Sequence, residues 1–457
     1  MISILIPSCR PDGLDKFIGS LRANSWKFED LDIVIAVDDD TAPEYLEVHD
    51  NINILHTPSG KTVAALLHEC YKISKGDWIF FGNDDIVCET SNWDLVIKNQ
   101  IAHLDDNIAL FWINDGMFQE RLACFPIVSR KVLDLVGFFP LPYMRYKVDD
   151  TLFEIIPRNR RFYRSDIVFR HDNDKGTIGF PLGDGRIYPI VAEAAQHDQK
   201  KWEELATHRV QQAGKVLDAL IKHPVKVLIG VSTAEVARKA EFYDFLAALE
   251  KPAGTMMAQV HGQSPARSRN MIFEQALALN CTHVLLIDDD VAFRSDALKR
   301  LLVHDVDFVT GIYLARNFPH HPFIFHSFNE NKSANFHFLQ DGDCGLIPIV
   351  ASGFGFCLIK TSAYKNMTKP YVRLGELDTD MWCDDIGFFN RLKEENPEAK
   401  CYADLDLPIG HMAHVTIWPN QDINKMWMTT YSTNGTSVVN FPAVKPVIDE
   451  KKEEVVA

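Results

Sequence analysis

The sequence has no CxxC pair, no basic excess and no apolar run long enough to cross a bilayer. Its nine cysteines are scattered and odd in number, which excludes a disulfide framework and a zinc ribbon and favours a reducing compartment. Lys and Arg total 47 against 63 Asp and Glu, a net charge of -16, so the chain cannot coat nucleic acid or anionic membrane by bulk electrostatics. The opening "MISILIPSCRPDG" has a short apolar run and no basic lead, and the expectation is a soluble, cytoplasmic protein with no membrane partner. A P-loop is missing too, because "SPARSRN" lacks both the glycine-rich lead and the GK[ST] ending. What remains, 46% hydrophobic and 24% charged over 457 residues, is ordinary globular composition with room for two or three cores.

A break falls near residue 223. From Glu193 to Lys222 apolar residues recur at helical spacing until "HP" precedes a new apolar strand, "VKVLIGVS". This predicts domains at 1–190 and 224–442, a linker helix at 191–223 and a charged tail at 443–457. Each half opens on a strand ("ISILIPS", "KVLIGVS") and alternates strands with helices, which implies a parallel, doubly wound α/β sheet in each. The repeated order reads as a tandem duplication.

The stretch "THVLLIDDDVAFRSDALKRLL", residues 282–302, ends an apparent buried strand on Asp288, Asp289 and Asp290. Like charges so close call for a neutralising cation or donors. Asp288 and Asp290 are two apart on an extended chain and share a face, so they can hold Mg2+ or Mn2+ while leaving positions open for a diphosphate. Open α/β sheets bind ligands at such strand ends. The first half has "FFGNDDIV" there, with Asn83, Asp84 and Asp85. The plain alternative is that these residues only cap helices or form turns.

Later elements recur as well. "YKVDDTLFEII" and "MWCDDIGFFNRLKEE" each put an acidic pair at the head of an amphipathic helix, and "SDIVFRHDN" and "LDLPIGHMAHV" each place a histidine after a late strand. A small-residue strand, "IVASGFGFCLIKTSAY", precedes the second pair. In this order of elements each half resembles a GT-A glycosyltransferase, the first being especially similar to the inverting, family-2-like nucleotide-sugar transferases.

The resemblance implies two tandem GT-A domains and a metal-dependent, inverting transfer from a nucleotide-diphosphate sugar, a UDP-sugar as first choice, with Mn2+ or Mg2+. It implies metal ligands at Asp290 and His411, with His414 as competitor, and at Asp85 and His171. Nucleotide contacts fall at Asp288 and Asn83, at Asp38 and Asp39 in the first half, and at Arg267 and Asn270 in "ARSRN". One member of each pair, Asp384 or Asp385 and Asp149 or Asp150, becomes the general base. Their plain structural reading is favourable charge at a helix N-terminus, which stabilises by about 0.3 to 1 kcal/mol.

The acceptor stays open: a glycan, a protein, or modified bases in DNA of the kind some phages carry. The DNA reading rests on "IPRNRRFYR", where Arg158, Arg160, Arg161 and Arg164 flank Phe162 and Tyr163, although such a run is ordinarily a solvated edge strand. The histidines around "HPFIF" lack metal spacing. Two other functions compete. A sugar-phosphate nucleotidyltransferase needs a glycine-rich loop after the first strand, where "PSCRPDG" and "VSTAEV" stand. Alternatively one half, with Asn83 making the first the better candidate, binds sugars or a partner without catalysis.

Overall fold

The computed structural model describes residues 1–8, 11–38, 51–58, 60–138, 143–172, 187–221, 223–233, 240–315, 320–340, 342–373, 384–412, 414–419, 425–432 and 435–442, with backbone alone at 11, 38, 187–192, 240 and beyond 413. It divides into two compact units, Met1–Lys222 and His223–Ala457. Each has its own core, one around Phe17, Phe80, Trp93 and Phe169, the other around Phe273, Phe354, Tyr364 and Phe388.

In the first unit the order is β1 (Ile2–Ser8), α1 (Pro11–Asn24), β2 (Leu31–Asp38), β3 (Ile52–Thr57), α2 (Val63–Ile73), β4 (Trp78–Phe81), β5 (Ile86–Cys88), α3 (Trp93–Ile101), β6 (Leu110–Asn114), β7 (Pro126–Ser129), α4 (Arg130–Val136), α5 (Val148–Ile155), β8 (Arg161–His171), α6 (Ile187–Glu204) and α7 (Ala206–Leu220). Its sheet runs β3-β2-β1-β4-β7-β6-β8-β5. All seven residues of β1 are buried, as a strand with parallel neighbours on both sides requires.

The second unit contains β9 (Val227–Thr233), α8 (Ala240–Ala248), β10 (Met256–His261), α9 (Pro265–Ala278), β11 (His283–Asp288), β12 (Val291–Ala292), α10 (Ala297–Leu302), β13 (Phe308–Ile312), β14 (Ile324–Phe328), β15 (Ala334–Phe336), β16 (Leu346–Pro348), β17 (Ala351–Ser352), β18 (Phe356–Lys360), α11 (Thr361–Tyr364), α12 (Asp384–Glu395), β19 (Cys401–Pro408), β20 (Gly410–His411), and the antiparallel β21 (His414–Pro419), β22 (Lys425–Ser432) and β23 (Gly435–Pro442). Its main sheet runs β10-β9-β11-β18-β13-β19-β16.

The run β2-β1-β4-β7-β6-β8 thus repeats as β10-β9-β11-β18-β13-β19, with the same strand senses. Both sheets even shift register at one place, between Ile113 and Asn114 and between Gly311 and Ile312. The sheets are not all parallel as the alternation predicts. β7 and β18 run antiparallel to both neighbours. β7 returns from β6 through only a 3-10 turn, and a parallel return would need a crossover helix.

The expected linker helix is two helices, broken at Leu205, and α7 packs on α4 and α5 of the first unit. The buried Asp198 of α6 accepts the backbone N–H groups of Met144, Arg145 and Tyr146 at 2.7, 2.8 and 2.7 Å. Arg209 of α7 pairs with Glu154 at 2.6 Å and stacks on Trp202. These helices brace the segment that carries Asp149 and Asp150. Among the described residues no helix is long and apolar enough to cross a membrane, and Cys70, Cys88, Cys124, Cys281, Cys344, Cys357 and Cys401 are free thiols.

Candidate active site

In the second unit the apolar strand β11 ends on Asp288, and the chain turns through Asp289 and Asp290 into β12. That short strand pairs antiparallel with β20, setting Val291 opposite His411, and Met412 N–H donates to Asp290 C=O at 2.7 Å. The ladder brings His411 Nε2 to 3.8 Å from Asp290 Oδ1, while Nδ1 donates to Leu314 C=O at 2.9 Å. The ring stands edge-on to Tyr313. A gap of 3.8 Å is too wide for a hydrogen bond and matches two ligands each about 2.0–2.2 Å from one cation. The tautomer fits as well, since Nδ1–H is committed to a carbonyl and Nε2 faces the carboxylate.

The small-residue strand has a packing reason. A Cβ on Gly353 would lie 2.0 Å from the Tyr313 hydroxyl. With glycine there, that hydroxyl accepts Gly355 N–H at 3.2 Å, and Gly355 C=O accepts Asp288 N–H at 2.9 Å. Burial lifts the Tyr313 hydroxyl well above its usual range, so it stays neutral.

Asp384 and Asp385 open α12. Burial first, then the charge of Asp384, push the Asp385 carboxyl up to about 6, and its Oδ1 accepts Ile386 N–H at 2.9 Å. Asp384 is held by a residue the sequence reading passed over. Arg269, buried on α9, gives Nη1 to Asp384 Oδ2 at 2.6 Å and Nη2 to Asp288 Oδ1 at 3.4 Å, with its guanidinium over Phe354. Burial works against its charge, but Asp288, Asp384 and Asp385 outweigh it and hold the proton more firmly than usual. The signal was helical phase: Ala266, Ile272 and Phe273 mark the buried face, and position 269 lies on it.

The first unit repeats the ladder. Ile86 pairs with His171, and Asp172 N–H donates to Asp85 C=O at 2.7 Å. His171 Nδ1 lies 3.9 Å from Asp85 Oδ1, its ring against Phe125. Asp84 is buried and accepts the Ser8 hydroxyl. At the head of α5, burial and then Asp150 push the Asp149 carboxyl up to about 6, while Asp150 pairs with Lys147 at 3.2 Å. Asp149 Oδ1 accepts the following N–H, the same bond that Asp385 makes, and both are the second residue of their helix.

Other expected site residues sort differently. Asn270 is committed to backbone, donating to Val372 C=O at 2.7 Å and Ala266 C=O at 2.8 Å and accepting Val372 N–H at 3.1 Å, which makes it a clamp. Arg267 is exposed on the opposite face of α9 from Arg269. Asp38 ends β2 with only its backbone described, as is His414 in β21; Asp39 lies outside the described residues. The arginines 160, 161 and 164 are committed internally, Arg160 to Asp106 at 2.7 Å, Arg164 to Asp166 at 2.6 Å and Arg161 to Ile156 C=O at 2.6 Å, so the basic run offers little to a polyanion. His320 and His326 hydrogen-bond to carbonyls, and His321 packs on Phe336 and Phe338. Among the described residues no three His, Cys, Asp or Glu groups gather to hold a metal by themselves.

No family model matches the sequence, and no curated protein matches it. Solved structures do, each over about half of the chain. A197 from STIV is 15% identical, with 50% of this chain and 99% of that chain covered and a TM-score of 0.30. The mannosyltransferase PcManGT from Pyrobaculum calidifontis, in complex with GDP-Man and Mn2+, is 12% identical over 48% of this chain and 73% of that one, with a TM-score of 0.34. TarS 1-349 from S. aureus, in complex with UDP, is 15% identical over 49% and 72%, with a TM-score of 0.29. Likenesses at this identity and superposition leave the activity of this chain to be argued from its own geometry.

Proposed function

We propose that the chain is a metal-dependent glycosyltransferase of two tandem GT-A-like units, inverting, and fed by a nucleotide-diphosphate sugar, a UDP-sugar first. One observation carries the reading: in each unit an aspartate and a late histidine meet across one short antiparallel ladder, and a partly buried aspartate stands second in a helix. Two protein ligands leave a divalent cation room for a donor diphosphate. Asp290 with His411, and Asp85 with His171, are the residues to hold Mn2+ or Mg2+, and such an ion supplies charge neutralisation for a departing diphosphate.

Asp385 is the proposed base of the second unit and Asp149 that of the first. Each is charged at neutral pH yet avid enough for a proton to take one from an attacking acceptor hydroxyl. Displacement from the face opposite the leaving diphosphate inverts the anomeric carbon. Asp288 and Arg267 are kept as proposed donor contacts, with Asn83, Asp38 and Asp39 in the first unit. A second reading, in which the first unit binds a sugar or partner without transferring, is favoured by its neutral Asn83. The acceptor is a glycan or protein; modified DNA is disfavoured by the internally committed arginines. The deciding experiment offers UDP-glucose, UDP-N-acetylglucosamine and GDP-mannose with Mn2+ or Mg2+ and follows nucleotide release. Release should stop in EDTA and return with metal, and full activity in chelator would sink the metal reading.

A further inference from the structure

We propose that Arg269 is a positioning residue: it ties Asp384 to the end of β11 and, through that ion pair, governs how readily Asp385 accepts a proton. The proposal rests on Asp385 as base, but the geometry stands by itself. The guanidinium spans two elements that meet at the site, touching Asp288 at the strand end and Asp384 at the helix head. Asp385 is therefore set between two opposed influences. Asp384, on its own helix, raises its affinity for a proton, and Arg269, from α9, lowers it. Among the described residues the other titratable groups that act on it are the Tyr313 hydroxyl after β13 and the Cys357 thiol on β18, both kept neutral by burial, with the Asp288 carboxylate against Arg269. Arg269 is the cation among them.

The first unit shows that this tie is not a requirement of the fold. Aligned on their N-caps, Thr62 and Ser264, helices α2 and α9 place Leu67 where Arg269 stands. Aligned on their first residues, α5 and α12 place Val148 where Asp384 stands. Counting back from Asp85 and Asp290, Asn83 replaces Asp288. All three charges are replaced by neutral groups together, while the aspartate-histidine ladder and the partly buried helix-head aspartate are kept. A buried ion pair is weak grounds for stability and better grounds for a specific task. The three charges act as one device, and it belongs to the chemistry of the second unit.

The test is a 13C-carboxyl NMR titration of the full chain, with Asp385 assigned by loss of its signal in Asp385→Asn. The native midpoint should fall at about 6. Arg269→Leu should move it up by about one pH unit or more, as loss of an opposite charge at this range does. Asp384→Val should move it down. The double variant Arg269→Leu with Asp384→Val, which copies two of the three first-unit replacements and takes Arg269 away only from the part-exposed Asp288, should fold and return the midpoint near its start, and Arg269→Lys should hold it closer to native than Leu does. An Asp385 midpoint unmoved in Arg269→Leu, or a double variant no nearer native than the single, overturns the proposal. If the native protein releases no nucleotide from UDP-glucose or GDP-mannose, the transferase reading falls, and the titration still decides this one. Where nucleotide is released, the acid limb of kcat/KM should follow the same order of variants.

Discussion

The two units agree in backbone and disagree in charge. Both build the same strand order, the same register slip and the same ladder from aspartate to histidine, and in both the second residue of a helix is an aspartate pushed up to about 6. Around that shared frame the second unit has Arg269, Asp288 and Asp384 in one connected group, where the first has Leu67, Asn83 and Val148. The surroundings diverge too. Beside α9 the second unit is filled by Tyr364 and Tyr371 against Phe273, and Asn270 clamps Val372. Beside α2 the first unit has a cavity of about 380 Å³ lined by His68, Phe138, Tyr143, Thr151, Arg209 and Gln212. The frame shows what the site needs in order to exist. The differences show which parts that frame leaves free to vary.

The comparison breaks first on the proposed metal ligands. Asp290→Ala and Asp85→Ala should each remove one transfer step by on the order of 10³-fold, the loss of several kcal/mol of charge stabilisation, and leave the other step measurable. If Asp85→Ala changes neither the product nor the rate, the first unit is a binding module.

A smaller effect sharpens the base assignment. Asp385→Asn should slow transfer by about 10²-fold while retaining donor binding. The same change should stabilise the second unit. Its native carboxyl takes a proton more readily than an unfolded one, so the cost of burying its charge is full above about pH 6 and disappears below about pH 4. Urea melts at pH 7.5 should show the variant more stable by about 2 kcal/mol, with the gain gone at pH 4. Equal stability at both values would remove the buried-charge argument. Asp384→Asn, if it slows transfer more than Asp385→Asn, exchanges the two roles.

The smallest effect on chemistry is expected from the brace of the first unit. Asp198→Ala strips three backbone N–H groups of their acceptor and should cost about 1–3 kcal/mol. Hydrogen exchange at Met144, Arg145 and Tyr146 should rise, with the second unit unchanged. Protection that stays native would mean that α5 does not depend on α6.

Much of the frame is legible in the chain because burial writes period and sidedness into it. The unbroken apolar runs of β1 and β11 announce strands covered on both faces, and Asp290 and Asp85 are conspicuous because charge rarely follows such runs without a task. The antiparallel sense of β7 is not written locally, since it depends on what fills the link behind it. The clamp made by Asn270 is not legible for a related reason: an amide at a helix start suits a ligand and a neighbouring backbone equally, and only the fold brings Val372 within reach. Arg269 was missed because its partners lie on two other elements.

The ladder that unites Asp290 with His411 also has a kinetic meaning. The two residues lie far apart in the chain, and a long loop must close before they meet, so the pair forms late, when β20 docks on β12. A partly folded chain carries the aspartate without the histidine. A cation held between them, as proposed, would bind the docked arrangement and not its precursors, drawing β20 home by mass action. Chelation should therefore loosen β20 before any other part of the second unit, so that the site reports completion of its own fold.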